Sequence, residues 1–140
     1  MCLEILLPVD TYEEQGTGFK VFIENEDGLF EGPYRGLYYT FSVEYKAIER
    51  TLFDSYDKKY TSGFHIFVNL ESAIALFDFL KIKYPMRKYV IVKISYRERT
   101  SCGKEYRKNE EHHVIVARYM TLDSIVEIGE QYEQDMQSSN

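Results

Sequence analysis

Apolar residues fall in short runs divided by polar and glycine-rich stretches, and the period of each run predicts its element. Phe19 to Ile23 reads as a strand preceded by the flexible Gly16-Thr17-Gly18. Glu24 to Gly28 is turn chemistry, since Asn and Gly tolerate a left-handed backbone. Gly32-Pro33 punctuates again, and Leu37 to Ala47 alternates imperfectly as a second strand. Glu49 to Thr61 is polar and charged, which predicts a loop or a short helix.

The run Gly63-Phe64-His65-Ile66-Phe67 predicts a strand, and Asn69 closes it as an expected helix cap whose side chain would accept from a first-turn N–H. Leu70, Ala73, Ile74, Phe77 and Leu80 then recur at helical spacing, with Leu76, Phe79 and Ile82 widening the stripe. Pro85 ends that helix. Tyr89 to Tyr96 is the clearest strand, with Val90, Val92, Ile94 and Tyr96 on one face and Lys93 and Ser95 on the wetter one. Arg97 to His112 reads as a polar loop or a long hairpin tip, and Val114 to Ala117 as a further strand. A terminal helix is expected from Thr121, capped by Thr121 or Asp123 and striped by Ile125, Val126, Ile128 and Tyr132, with a fraying end.

The expectation is an α+β fold: a bent or split mixed β-sheet with two main helices. The whole of 1–140 forms a single domain, with an acidic C-terminal helix and tail from about 121. At 140 residues one core suffices.

Charge and composition narrow the function classes. The net charge is −6, yet from Thr121 onward five acids stand without a Lys or Arg, so residues 1–120 sum to −1. No basic stripe is present, which makes nucleic acid an unlikely partner. The acidic segment reads first as a solvated helix face, and otherwise as a surface that meets a basic protein or mimics a polyanion. Thirteen Tyr, nine Phe and no Trp predict tyrosines at the core boundary or lining a groove. Cys2 and Cys102 match no metal spacing. Cys102 is expected in a polar loop near Arg99 and Lys104, where a thiol gains some thiolate character. With no leader and no apolar run approaching 18 residues, the expected compartment is the cytoplasm. The oligomeric state is not legible.

Candidate chemistry is sparse. His65 is the one imidazole inside an apolar strand, readable as a hydrogen-bonded structural histidine, a ligand contact or a general acid–base group. In Glu110-Glu111-His112-His113, strand alternation would place Glu111 with His113 on one face and Glu110 with His112 on the other. Two ligands per face are too few for a closed zinc site, so no metal is expected. The glycine-rich Gly28 to Gly36 lacks a phosphate-loop pattern, although Arg35 and the neighbouring tyrosines could form a recognition edge.

From Gly63 to Ile125 the order is a G-x-x-x-F strand, a helix, an apolar strand, a charged loop and an E-x-x-V-I-V strand. This order resembles the core of the ADP-ribosyltransferase-like fold. The chain also resembles small phage and prophage proteins in the strings Phe19-Lys20-Val21-Phe22, Gly63 to Phe67, Val90 to Ile94 and Ala117-Arg118-Tyr119-Met120. The first resemblance implies a cleft for the nicotinamide end of NAD. His65 would stand where the family has a stacking tyrosine, and Glu111 (or Glu110) would be its glutamate. Lys20, Arg35, Tyr38 and Phe67 would contact the ligand. The first strand offers Lys20 where transferases carry a His or Arg. The second resemblance implies a protein-binding accessory factor without a cofactor, working in the cytoplasm of an infected host cell.

Overall fold

The computed structural model of the protein describes residues 3–33 and 37–127. The chain runs through β1 (Ile5–Leu6), β2 (Gly16–Glu24), β3 (Phe30–Glu31), β4 (Tyr38–Tyr39), β5 (Glu44–Lys46), β6 (Thr51–Phe53), β7 (Lys59–Thr61), β8 (Phe64–Phe67), α1 (Leu70–Lys83), β9 (Tyr89–Arg107) and β10 (Glu110–Val126). Of the described residues 53% are in strands and 14% are helical. The fold is therefore a large antiparallel sheet carrying one α-helix, and the expected two-helix α+β core with a mixed sheet is not what forms.

The long β9–β10 hairpin is the reason. Lys108 and Asn109 both take positive φ, 51° and 65°, which makes the two-residue reversal whose twist suits antiparallel strands. Pairing then runs from Arg107↔Glu110 to Ile91↔Val126. Arg97 to His112 is thus hairpin throughout: Arg97, Tyr106, Glu110 and Glu111 are exposed, while Ser101, Glu105 and His112 are buried within the same pairing. Thr121 to Val126 stay in β10, held in register with Ile91 to Ser95, so the helix expected there does not start. Strand pairing outweighs the local helix signal of Thr121 and Asp123. Ile128, Tyr132 and the rest of the acidic tail lie outside the described residues.

Two register shifts bend the hairpin. One leaves Thr100 as an extra residue of β9 between the partners of Val116 and Ala117, and the other leaves Asp123 extra on β10. The bent halves meet different neighbours: β2 along Tyr89 to Tyr96, β1 near Gly103 and Lys104, β8 along Val114 to Ala117, and β5 along Tyr119 to Thr121. Because β2 also pairs with β8 at Phe19↔Phe67, strands β2, β9, β10 and β8 close into a ring of pairings. Gly18 permits that closure, since a Cβ there would lie 2.5 Å from Ile66 Cγ2 and 2.6 Å from the Phe67 carbonyl oxygen.

Along Val21 to Ile23, Ile66 to Phe67, Tyr89 to Val92 and Val114 to Ala117 consecutive residues are buried, so both faces are covered there, which explains these unbroken apolar runs. Val21, Phe67, Ile91, Val114 and Val116 pack with Ala73, Leu76 and Leu80 of α1. Phe22, Ile66, Val92, Ile94, Ile115 and Leu122 gather on the other face with Phe30. Helix α1 starts at Leu70 without a side-chain bond from Asn69, contrary to the cap expected there. Glu71 in its first turn and Lys81 and Lys83 in its last complement the peptide dipoles instead. Ile82, counted in the stripe, is 79% exposed because the helix has run past the sheet.

Two stretches are more strand-like than their composition suggests. Glu49 to Thr61 forms the β6–β7 hairpin, organised by Asp54, whose carboxylate accepts from the N–H groups of Leu6, Tyr56 and Lys58. Leu37 to Ala47 splits into β4 and β5, which join different parts of the sheet: β4 pairs with β3 at one end, and β5 with the interior strand β10. The reversal at Asn25 to Gly28 forms as expected, with Asn25 Oδ1 accepting from the N–H groups of Asp27 and Leu29 and with Gly28 at φ 75°.

Candidate functional site

Splitting β4 from β5 opens a cleft between them. The cleft has a volume of about 330 Å³ and is walled by Tyr38 and Tyr39 of β4, Tyr45 and Lys46 of β5, Phe64 and His65 of β8, and Lys20 of β2. The aromatic walls brace one another. Tyr39 stands edge-on to Tyr45 at 4.9 Å and to Phe64 at 6.2 Å between ring centroids. The Tyr45 hydroxyl accepts from the Thr40 N–H at 2.9 Å, closing the turn between β4 and β5. At the mouth, Leu37, Tyr38 and Ile48 are 49%, 56% and 67% exposed.

His65 sits at this cleft with its Nδ1 3.3 Å from the Gly63 carbonyl oxygen, which it can meet only as a donor. The carbonyl of His65 accepts from Lys20 Nζ at 2.9 Å, so β8 orients the ammonium. Three of the residues singled out in the sequence, Lys20, Tyr38 and His65, are therefore brought together. Arg35 lies outside the described residues.

Phe67 and Glu111 are elsewhere. Phe67 shares the face of His65 but lies further along β8, where it pairs with Val114 and is buried with α1 residues, its ring 6.4 Å from that of His112. It lines no part of the cleft. Strand β8 does lie beside β10, as a shared crevice would require, but His65 aligns with Val116, five positions past Glu111. At about 3.3 Å per residue that is roughly 16 Å, and an odd offset puts the two side chains on opposite faces. The structure does not assemble the pair His65 and Glu111 at one point.

Glu111 is engaged in a different cluster. Its Oε1 accepts from Lys104 Nζ at 2.6 Å and from His113 Nε2 at 2.8 Å. Because His113 donates from Nε2, its Nδ1 is left to accept from the Tyr12 hydroxyl. The ammonium of Lys104, and then the imidazole of His113, hold the Glu111 carboxyl below its usual range. Burial, chiefly, raises the Tyr12 phenol. Glu111 and His113 thus share one face, as strand alternation requires, and staple the 3-10 turn Val9–Thr11 to the hairpin through Tyr12.

On the other face His112 Nδ1 lies 2.9 Å from Ser72 Oγ of α1, and burial lowers the imidazole pKa. Glu105, its cross-strand neighbour, is also buried, and burial raises its carboxyl. Cys102, expected in a polar loop, is buried within β9, and burial pushes its thiol up. That is the reverse of thiolate activation.

Among the described residues no group of three or more His, Cys, Asp or Glu is placed to hold a metal ion. No described helix is long and apolar enough to cross a membrane. The chain matches no protein-family model, no curated protein and no solved structure.

Tyr39, Tyr45, Lys46, Ile48 and Phe64 were not singled out from the sequence. They come from separate strands, and the one local signal was the density of tyrosines between Tyr38 and Tyr45.

Proposed function

We propose that the protein is a recognition module that binds another protein through the cleft between β4 and β5. The observation that carries this reading is the mouth: three large apolar side chains, Leu37, Tyr38 and Ile48, stand exposed together around an aromatic-walled hollow. Isolated exposed apolar residues mean little, whereas a cluster bordering a concave site marks a contact surface. Strand β4 also ends the order of the sheet, so its outer side is an edge at which an extended chain could pair.

A nucleotide such as NAD is the second occupant to consider, because Lys20, Tyr38 and His65 meet at the cleft and its volume falls in the small-ligand range. The position of Glu111 supports binding over transfer for that reading as well.

Capture from an extract of the source cells tests the proposal. Tyr38→Asp and Ile48→Asp should abolish retention of a partner that wild type holds, while Tyr56→Asp in the distant β6–β7 turn should not. Equal retention by all three variants would refute it. A thermal shift in millimolar NAD addresses the second occupant, since a ligand of the native state alone raises the melting temperature.

A further inference from the structure

The charges around the cleft go beyond the fact of partner binding. The chain has 23 acidic residues, yet among the described residues none lines this cleft, whereas Lys20, Lys46 and His65 do. Half-buried Lys20 donates to the His65 carbonyl, and Lys46 of β5 is exposed. Tyr39, Tyr45 and Phe64 line the same cleft. An aromatic lining that also carries two ammonium groups is complementary to an apolar side chain flanked by carboxylates.

We infer that the cleft selects an acidic extended peptide, one whose apolar anchor enters between Tyr45 and Phe64 while neighbouring Asp or Glu side chains meet Lys46 and Lys20. This rests on the cleft being a partner site. A peptide suits the surroundings better than a free anion for two reasons. The exposed Leu37 and Ile48 extend the apolar surface beyond the hollow, and the β4 edge offers main-chain pairing to a strand. Lys46 carries the selectivity because it is the exposed cation. An exposed ion pair of this kind changes affinity by about twofold to fivefold, and does so less as salt is added.

The experiment is a random-sequence peptide array probed with the intact protein, followed by titration of the retained peptides against variants. Retained sequences should be enriched in Asp and Glu beside an aromatic or aliphatic residue. Lys46→Glu should weaken the best acidic peptide about fivefold or more and should favour its Lys-for-acid counterpart. Lys46→Gln, which removes charge without reversing it, should fall between. Retained sequences that are neutral or basic would overturn the inference. So would affinities unmoved by Lys46→Glu while Ile48→Asp still abolishes them, a result that leaves partner recognition standing. If Ile48→Asp is also without effect, both readings fall. Displacement of the peptide by micromolar NAD would assign the cleft to a small ligand instead.

Discussion

Replacing Gly18 with alanine tests how the ring of strands closes and, through it, how the cleft is built. The added Cβ would lie 2.5 Å from Ile66 Cγ2 and 2.6 Å from the Phe67 carbonyl oxygen. Ordinary contact begins near 3.4 Å, so the overlaps are about 0.9 and 0.8 Å. The carbonyl is backbone of β8 and cannot rotate away, and Ile66 is fully buried. Relief requires β2 and β8 to separate where they pair, at Phe19↔Phe67. A cost of about 3 kcal/mol is expected, at the upper end of the usual range for overpacking. With an unfolding entropy near 2.1 cal/mol/K per residue, that cost lowers the melting temperature by about 10 °C. At a urea m-value of about 2 kcal/mol/M it lowers the midpoint by about 1.5 M. Gly32→Ala is the control, since a Cβ there meets nothing within 4 Å, and its effect should stay within about 0.5 kcal/mol. The assay is urea unfolding followed by tyrosine fluorescence and far-UV circular dichroism. A Gly18→Ala protein within about 0.5 kcal/mol of wild type would refute the account of closure. Because Lys20 follows two residues later and Phe64 and His65 lie on the displaced strand, partner or peptide binding should weaken alongside stability.

Three further outcomes are expected. Leu76→Ala should cost about 2–5 kcal/mol in the same unfolding assay because Leu76 is buried under the sheet, whereas Ile82→Ser should cost less than about 0.5 kcal/mol. Cys102 should resist iodoacetamide in the native protein and react after unfolding, as read by mass spectrometry of its peptide; rapid native labelling would contradict its burial. His112 has a folded pKa below its ordinary 6.5, so between those two values the unfolded chain binds the extra proton and stability falls as pH drops below about 6.5. Glu105, raised above 4.5, acts oppositely: its contribution is full below 4.5 and is lost as pH climbs through its folded value. The free energy of unfolding measured from pH 4.5 to 7.5 should therefore rise less with pH in His112→Gln and more in Glu105→Gln; unchanged profiles would contradict both assignments.

What could be read locally was read well. Helix α1 ends before Pro85, the reversal at Asn25 to Gly28 forms, and Val90, Val92, Ile94 and Tyr96 share one buried face. Each follows from interactions within a few residues: a proline's steric effect, an amide bonding its own turn, and strand alternation. The pairing of Glu111 with His113 belongs here too. His65 stands out in the sequence as an imidazole in an apolar run, but whether it faces a cleft or the core was not legible there, nor was the wall opposite it.

The remainder depended on which strands meet. Thr121 to Val126 carry both a cap-like Thr and a helical stripe, and only the register with Ile91 to Ser95 makes them strand. Arg97 to Arg107 reads as either a polar loop or a hairpin tip because it has no apolar stripe of its own, and only the pairing with β10 makes it strand. Glu111 goes to a different place from His65 because the offset of β8 against β10 sets its face, and no spacing within either strand encodes that offset. Phe67, by contrast, shares a face with His65 and differs only in lying further along β8, packed with α1. The amino-acid order by itself determined the turns, the helix and the buried stripes, since those energies are local. Tertiary structure alone decided the ring of strands and the cleft, because long-range pairing selects one register from several that the same apolar pattern would allow.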